Sequence, residues 1–123
     1  MNTKPGIALM LSIAISAPFS SQALAESDSI RQMANIIMHL NHYPGKQDKQ
    51  LLSNIIEKGS VAERSIARAL LNMEHKVSPK DKAKLMAISN NRQLSNNTRK
   101  LAKIVQNLNH KASASDKQKL QGM

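Results

Sequence analysis

The stretch SVAERSIARALLNMEHKVSPKDKAKL, residues 60–85, decides the fold because its pattern occurs twice more in the chain. The three copies align on His42, His75 and His110, which lie 33 and 35 residues apart. Agreement without gaps around each histidine indicates an internal repeat of about 34 residues. Besides the histidine, the copies share a serine, an arginine, an alanine, an Asp-Lys pair and a leucine: Ser27, Ser60, Ser95; Arg31, Arg64, Arg99; Ala34, Ala67, Ala102; Asp48-Lys49, Asp81-Lys82, Asp116-Lys117; Leu52, Leu85, Leu120.

The first half of each copy is typical of an amphipathic helix. In the second copy, Ser60 and Glu63 form an S-x-x-E capping box, directly after Gly59 as the residue that ends the preceding helix. Apolar residues follow at a spacing near 3.6, as at Ile66 and Leu70. This pattern predicts a helix that ends shortly before the histidine of each repeat.

A second helix is predicted after each histidine. Ser78 is the expected N-cap, Pro79 occupies the first helical position and Asp81 falls at the third. Ser113 with Asp116 repeats this signal, while Gly45 with Asp48 is its weaker version.

These patterns predict an all-α fold of three helix-turn-helix repeats, with six short helices stacked as a small α-solenoid or a compact bundle. The predicted domain covers residues 26–123, with repeats at 27–59, 60–94 and 95–123. The last repeat ends soon after Leu120, so we expect it to act as a cap.

Residues 1–25 read as a cleaved signal peptide. Lys4 provides the positive start, residues 7–17 form a short apolar run, and Ala23-Leu24-Ala25 is a small-x-small cleavage motif. The apolar run is too short to span a bilayer as a helix, which argues against an uncleaved anchor. The sequence therefore predicts a periplasmic or secreted bacterial protein, cleaved after Ala25, with no transmembrane segment in the mature chain.

Composition argues against several classes of function. The chain has no cysteine, which excludes disulfides, thiol nucleophiles and thiolate zinc sites. Tyr43 is the one aromatic residue after the predicted cleavage point, so stacking platforms for bases or sugars are not expected. Glycine-rich phosphate loops and G-x-S-x-G or H-E-x-x-H motifs are also absent from the sequence. We predict a protein that is not an enzyme and has no cofactor.

Charge is concentrated in the second half of the chain. Residues 66–123 carry twelve basic and three acidic residues, a net charge of +9, whereas residues 26–65 are neutral overall. A half this basic attracts polyanions, although the same charge also serves solubility alone. The residues proposed for anion binding are Lys76, Lys80, Lys82, Lys84, Arg99, Lys100, Lys103, Lys111, Lys117 and Lys119.

The repeated histidines admit a structural and a metal-binding interpretation. We expect each histidine to contact the aspartate six residues later, because the two lie at neighbouring helix ends and suit the helix dipoles. Histidines of adjacent repeats are expected roughly 10 Å apart at ordinary helix spacings, too far to share a metal. His39, His42 and Asp48 form the one alternative metal group. The structural interpretation is favoured, and no metal site is predicted.

The repeated arginines lie eleven residues before the histidines. We expect them to cap carbonyl groups at the C-terminus of an adjacent helix, with ligand binding as the alternative.

Three functions are compatible with these features. The first is a protein-interaction module that binds another protein of the cell envelope. The second is binding of anionic lipid or another polyanion by the basic half. The third is a small periplasmic stress chaperone.

Overall fold

A computed structural model describes residues 27–123, so the predicted signal peptide and its cleavage site lie outside the described residues. The described chain is all-helical, as predicted. It contains six helices in chain order: α1 (Asp28–Met38), α2 (Lys46–Lys58), α3 (Val61–Asn72), α4 (Pro79–Ser89), α5 (Asn96–Gln106) and α6 (Ala114–Gln121).

The predicted helix starts are confirmed. Ser60 and Glu63 form the capping box of α3: the Ser60 hydroxyl accepts from the Glu63 N–H at 3.2 Å, and the Glu63 carboxylate accepts from the Ser60 N–H at 3.0 Å. Ser78 and Ser113 cap α4 and α6 with their hydroxyl groups, which accept from the N–H groups of Asp81 and Asp116. Gly45 starts α2 without a side-chain hydrogen bond, which agrees with its weaker sequence signal.

Helices α1, α3 and α5 form the centre of the molecule, and each of them packs against the other two. At one end, the Ser27 hydroxyl donates to the Glu63 carboxylate at 2.7 Å and joins the starts of α1 and α3. At the other end, the three central helices lead into the turns that contain the repeat histidines. The central helices therefore run side by side in the same direction.

The outer helices close this arrangement into a ring. Helix α2 packs against α3, α4 packs against α5, and α6 packs against α1. The structure thus selects the compact bundle over the open α-solenoid, and it is compatible with three repeats. The expectation that the last repeat acts as a cap is wrong, because α6 packs on the first helix and buries Leu120.

One continuous core fills the ring. Equivalent positions of the three copies are buried in this core, the alanines on the central helices and the leucines on the outer helices. These six residues are at most 5% exposed: Ala34, Ala67, Ala102, Leu52, Leu85 and Leu120.

Gly59 ends α2, as expected, but in an extended conformation with φ of −77° and not in the left-handed conformation common at helix ends. A Cβ atom at this position would lie 2.8 Å from the Ile55 carbonyl oxygen, so the close approach of the backbone requires glycine. Within residues 27–123, no helix is long and apolar enough to cross a membrane.

Leu52 and Leu51 provide a matched test of this packing. Leu52 is fully buried, whereas its neighbour Leu51 is 38% exposed. Leu52→Ala is expected to lower the free energy of unfolding by about 2–5 kcal/mol, because it leaves a cavity in the core. Leu51→Ala is expected to change it by less than about 1 kcal/mol. Urea unfolding followed by circular dichroism measures both values, and equal losses would contradict the placement of α2.

Candidate metal centre

His42, His75 and His110, here called the histidine triad, occupy unusual backbone positions. Their φ angles are 72°, 74° and 71°, and they are the described non-glycine residues with positive φ. This conformation costs an L-residue about 1–2 kcal/mol, and glycine adopts it freely. The chain nevertheless has histidine at all three positions. Backbone preference alone does not explain why histidine and not glycine occurs there, which indicates a role for the imidazole groups.

Each histidine is the central residue of a tight turn. Around the first, the Tyr43 N–H donates to the Asn41 carbonyl at 2.9 Å, which closes a three-residue turn. The residues two before and two after each histidine point into the core and fix the turn from both sides. The buried residues that flank the triad are Leu40, Pro44, Met73, Val77, Leu108 and Ala112.

The backbones of the triad are joined in a closed ring. The N–H of His42 donates to the carbonyl of His110 at 2.5 Å, and that of His110 donates to the carbonyl of His75 at 2.6 Å. The N–H of His75 completes the ring by donating to the carbonyl of His42 at 3.1 Å. Each histidine lies between two consecutive helices, which form the helix pairs α1–α2, α3–α4 and α5–α6. Each helix pair thus contributes one donor and one acceptor, and the hydrogen bonds fix the three Cα atoms relative to one another.

The side chains of the triad converge on one point. The Nδ1 atom of His42 lies 3.2 Å from that of His75 and 2.9 Å from that of His110, and the third distance, between His75 and His110, is 3.0 Å. The ring centroids are 4.6–5.1 Å apart, and the rings meet edge to face. All three residues are exposed, so the cluster opens to solvent.

Hydrogen bonding within the triad cannot satisfy all three nitrogens. A nitrogen of a neutral imidazole is either a donor or an acceptor. Among three nitrogens, at least two have the same role, so at least one of the three short contacts joins two donors or two acceptors. A cation that receives three lone pairs removes this conflict.

The spacing of the nitrogens fits a metal ion. With metal–nitrogen bonds of about 2.0–2.1 Å, two ligand nitrogens lie roughly 3.3 Å apart in a tetrahedral site and roughly 2.9 Å apart on one face of an octahedron. The observed separations of 2.9–3.2 Å lie within this range. The three residues also form the one group of potential metal ligands found within residues 27–123.

Electrostatics favour the neutral form of one triad member. Desolvation, followed by the charges of His75, His42 and Lys76, lowers the pKa of His110 below the ordinary histidine value. A neutral imidazole has a lone pair free for a cation, whereas a protonated one does not.

Two expectations about the histidines are wrong. The prediction of no metal site rested on a separation of roughly 10 Å between the histidines. The ring nitrogens instead lie about 3 Å apart, because the three turns meet at the axis of the helix bundle. The expected imidazole–carboxylate contacts are not formed within the described chain. Asp81 and Asp116 instead lie at the starts of α4 and α6, where their N–H groups donate to Ser78 and Ser113.

The alternative group of His39, His42 and Asp48 does not come together in the described residues. The Nδ1 atom of His39 lies 2.9 Å from the Asn35 carbonyl oxygen of its own helix end. His39 is thus engaged away from the triad.

The repeated arginines do not cap neighbouring helices as expected. Arg31 pairs with Asp28 at 3.4 Å, and Arg99 donates to the Asn96 amide oxygen at 3.3 Å, both within their own helix. The Nε atoms of Arg64 and Arg99 are buried without a hydrogen-bond partner. We find no structural reason for the arginine at this position of the repeat.

The predicted anion-binding residues are only partly brought together. Lys100, Lys103 and Lys119 line one small cavity between α5 and α6. Lys84 lines a separate apolar groove beside Val61. The structure spreads the others over exposed or half-buried positions: Lys76, Lys80, Lys82, Arg99, Lys111 and Lys117.

Comparison with protein-family models, curated proteins and solved structures finds no match for this chain.

The left-handed backbone of the triad is testable with the variants His75→Gly and His75→Ala. Both remove the imidazole, but only glycine adopts the turn without strain. His75→Gly is therefore expected to be about 1 kcal/mol more stable than His75→Ala. Urea unfolding in the presence of a chelator measures the difference. An alanine variant as stable as the glycine variant would contradict a positive φ at this position.

Proposed function

We propose that this protein binds one transition-metal cation through the Nδ1 atoms of His42, His75 and His110. The observation that carries the proposal is the convergence of these three nitrogens at 2.9–3.2 Å. Because each histidine comes from a different helix pair, the closed fold assembles the ligand set.

The donor set indicates the class of metal. Imidazole nitrogens suit zinc, copper, nickel and iron, whereas calcium and magnesium prefer oxygen ligands. Three protein ligands leave at least one coordination position for water or another molecule, and the exposure of the triad makes that position accessible. A set without thiolates also resists oxidation, which fits an oxidising compartment.

The backbone ring prepares the site for a metal. The three hydrogen bonds and the buried residues on both sides of each histidine hold the turns in place before a ligand arrives. Such preorganisation favours binding because less conformational freedom is lost when the metal is coordinated.

We further propose that the protein acts outside the cytoplasm, in the periplasm or as a secreted protein, as the N-terminal sequence predicts. The role of a protein-interaction module and that of a stress chaperone stay predictions. The described residues identify no partner for either.

Metal binding is tested by calorimetric titration of the metal-free protein with Zn²⁺ and Co²⁺. We expect one saturable site per chain, with an affinity that falls as the pH is lowered because protons compete with the metal for the imidazoles. The variants His42→Asn, His75→Asn and His110→Asn are each expected to weaken binding by at least about 100-fold. Asparagine is used because it tolerates the left-handed conformation and so preserves the turn.

The matched control for this experiment is His39→Asn, which removes a histidine outside the triad. It is expected to keep the wild-type affinity within about twofold, since its ring nitrogen faces a carbonyl of α1. A protein with no saturable site would overturn the proposal. Binding that is unchanged in all three triad variants would overturn it equally.

Export is tested by expressing the full chain in a Gram-negative host and sequencing the N-terminus of the product. We expect a periplasmic protein that begins at Glu26. Ala25→Arg is expected to block cleavage, because signal peptidase requires a small residue there. A product that begins at Met1 and remains in the cytoplasm would contradict export.

A further inference from the structure

The cavity between α5 and α6, here called the lysine cleft, lies outside the histidine triad. Its volume is about 90 Å³, which exceeds the roughly 10–15 Å³ that a single water requires and leaves room for one small anion with several oxygens. The walls carry three lysines and one carboxylate, so the cleft is positively charged. The lining residues are Lys100, Lys103, Ile104, Asn107, Asp116 and Lys119.

The two lysines on α5 are three residues apart, a spacing that places side chains on the same face of a helix. Lys119 approaches from α6, so the positive groups come from both sides of the cleft. Each ammonium group offers three donors and no acceptor. The single carboxylate, Asp116, cannot neutralise three such groups.

The corresponding positions of the first repeat show that the fold does not require these lysines. Aligned on the histidines, the first repeat has Gln32, Asn35 and Leu51 where the third has its three lysines. All of the helices that carry these residues form in both repeats.

The second repeat is intermediate, with Ser65, Arg68 and Lys84 at the same positions. The positive charge of this surface thus rises from the first repeat to the third. The three lysines are exposed, and their like charges repel one another, a repulsion that a bound anion would reduce. Only the third repeat has a lysine at all three positions.

We propose that the lysine cleft binds a phosphate group. Lysines of both α5 and α6 line the cleft, and their ammonium donors suit the several acceptor oxygens of phosphate. The excess charge of residues 66–123 raises the local concentration of such an anion. Free phosphate and the phosphate of an anionic lipid headgroup share this chemistry. The inference is independent of metal binding, because no member of the triad lines the cleft.

The test uses a triple variant, Lys100→Gln, Lys103→Asn and Lys119→Gln, which places residues of the first repeat on α5. The control variant, Lys80→Gln, Lys82→Gln and Lys84→Gln, removes the same charge from exposed positions of α4. Both proteins are titrated with inorganic phosphate, followed by NMR chemical shifts, and with vesicles containing phosphatidylglycerol, followed by co-sedimentation. A chelator is present throughout, so that phosphate bound to a metal does not contribute.

The wild-type protein is expected to bind in at least one of these two assays, and the cleft variant to bind at least about tenfold more weakly. The control variant is expected to stay within about twofold of the wild type in free phosphate. Cleft-dependent binding of free phosphate assigns the ligand to solution, and cleft-dependent binding of vesicles alone assigns it to the lipid headgroup.

Equal weakening in both variants would overturn the proposal, because net charge alone would then explain binding. The absence of binding by the wild-type protein in both assays would overturn it as well. Neither result affects the proposed metal site, whose titration is carried out without phosphate or lipid.

Discussion

The ring of three backbone hydrogen bonds between His42, His75 and His110 constrains the rest of the structure. A closed ring forms only if the three turns meet, and the turns meet only if α1, α3 and α5 lie side by side in the same direction. Each outer helix packs against the central helix of the next pair. Closure of the bundle and convergence of the histidines are therefore two aspects of one arrangement.

The backbone and side chains of the triad are locally unfavourable, and the packing of the surrounding core compensates for this cost. Three left-handed residues and at least one contact between like nitrogen atoms are unfavourable in the absence of a ligand. The surrounding core holds the turns in place, since the residues two positions before and after each histidine are buried. Backbone strain at exposed residues that a rigid core holds in place is characteristic of binding sites.

Much of the fold follows from local sequence signals. The serine N-caps, the capping box of Ser60 and Glu63 and the apolar periodicity are short-range features, and the structure confirms them. Closure of the helix bundle depends instead on the packing of α6 against α1. This contact joins the two ends of the described chain, so no local sequence pattern predicts it.

The site was harder to predict for the same reason. The alignment of the repeats shows that the three histidines are at equivalent positions. Such positions come together at the axis if the three repeats are arranged around it. An open stack of the same units would keep them apart, and the sequence does not distinguish the two arrangements. The left-handed conformation also has no clear signal in the sequence, because only a few per cent of non-glycine residues adopt it, even though histidine is enriched among them.

The three helix pairs belong to one chain, and this linkage has a consequence for how the histidine triad responds to its surroundings. A threefold site built from three separate chains loses its ligands when the protein is diluted. Here the loops between the pairs keep the three imidazoles at a high effective concentration, whatever the amount of protein. If the triad binds a metal as proposed, its occupancy would not depend on the concentration of the protein.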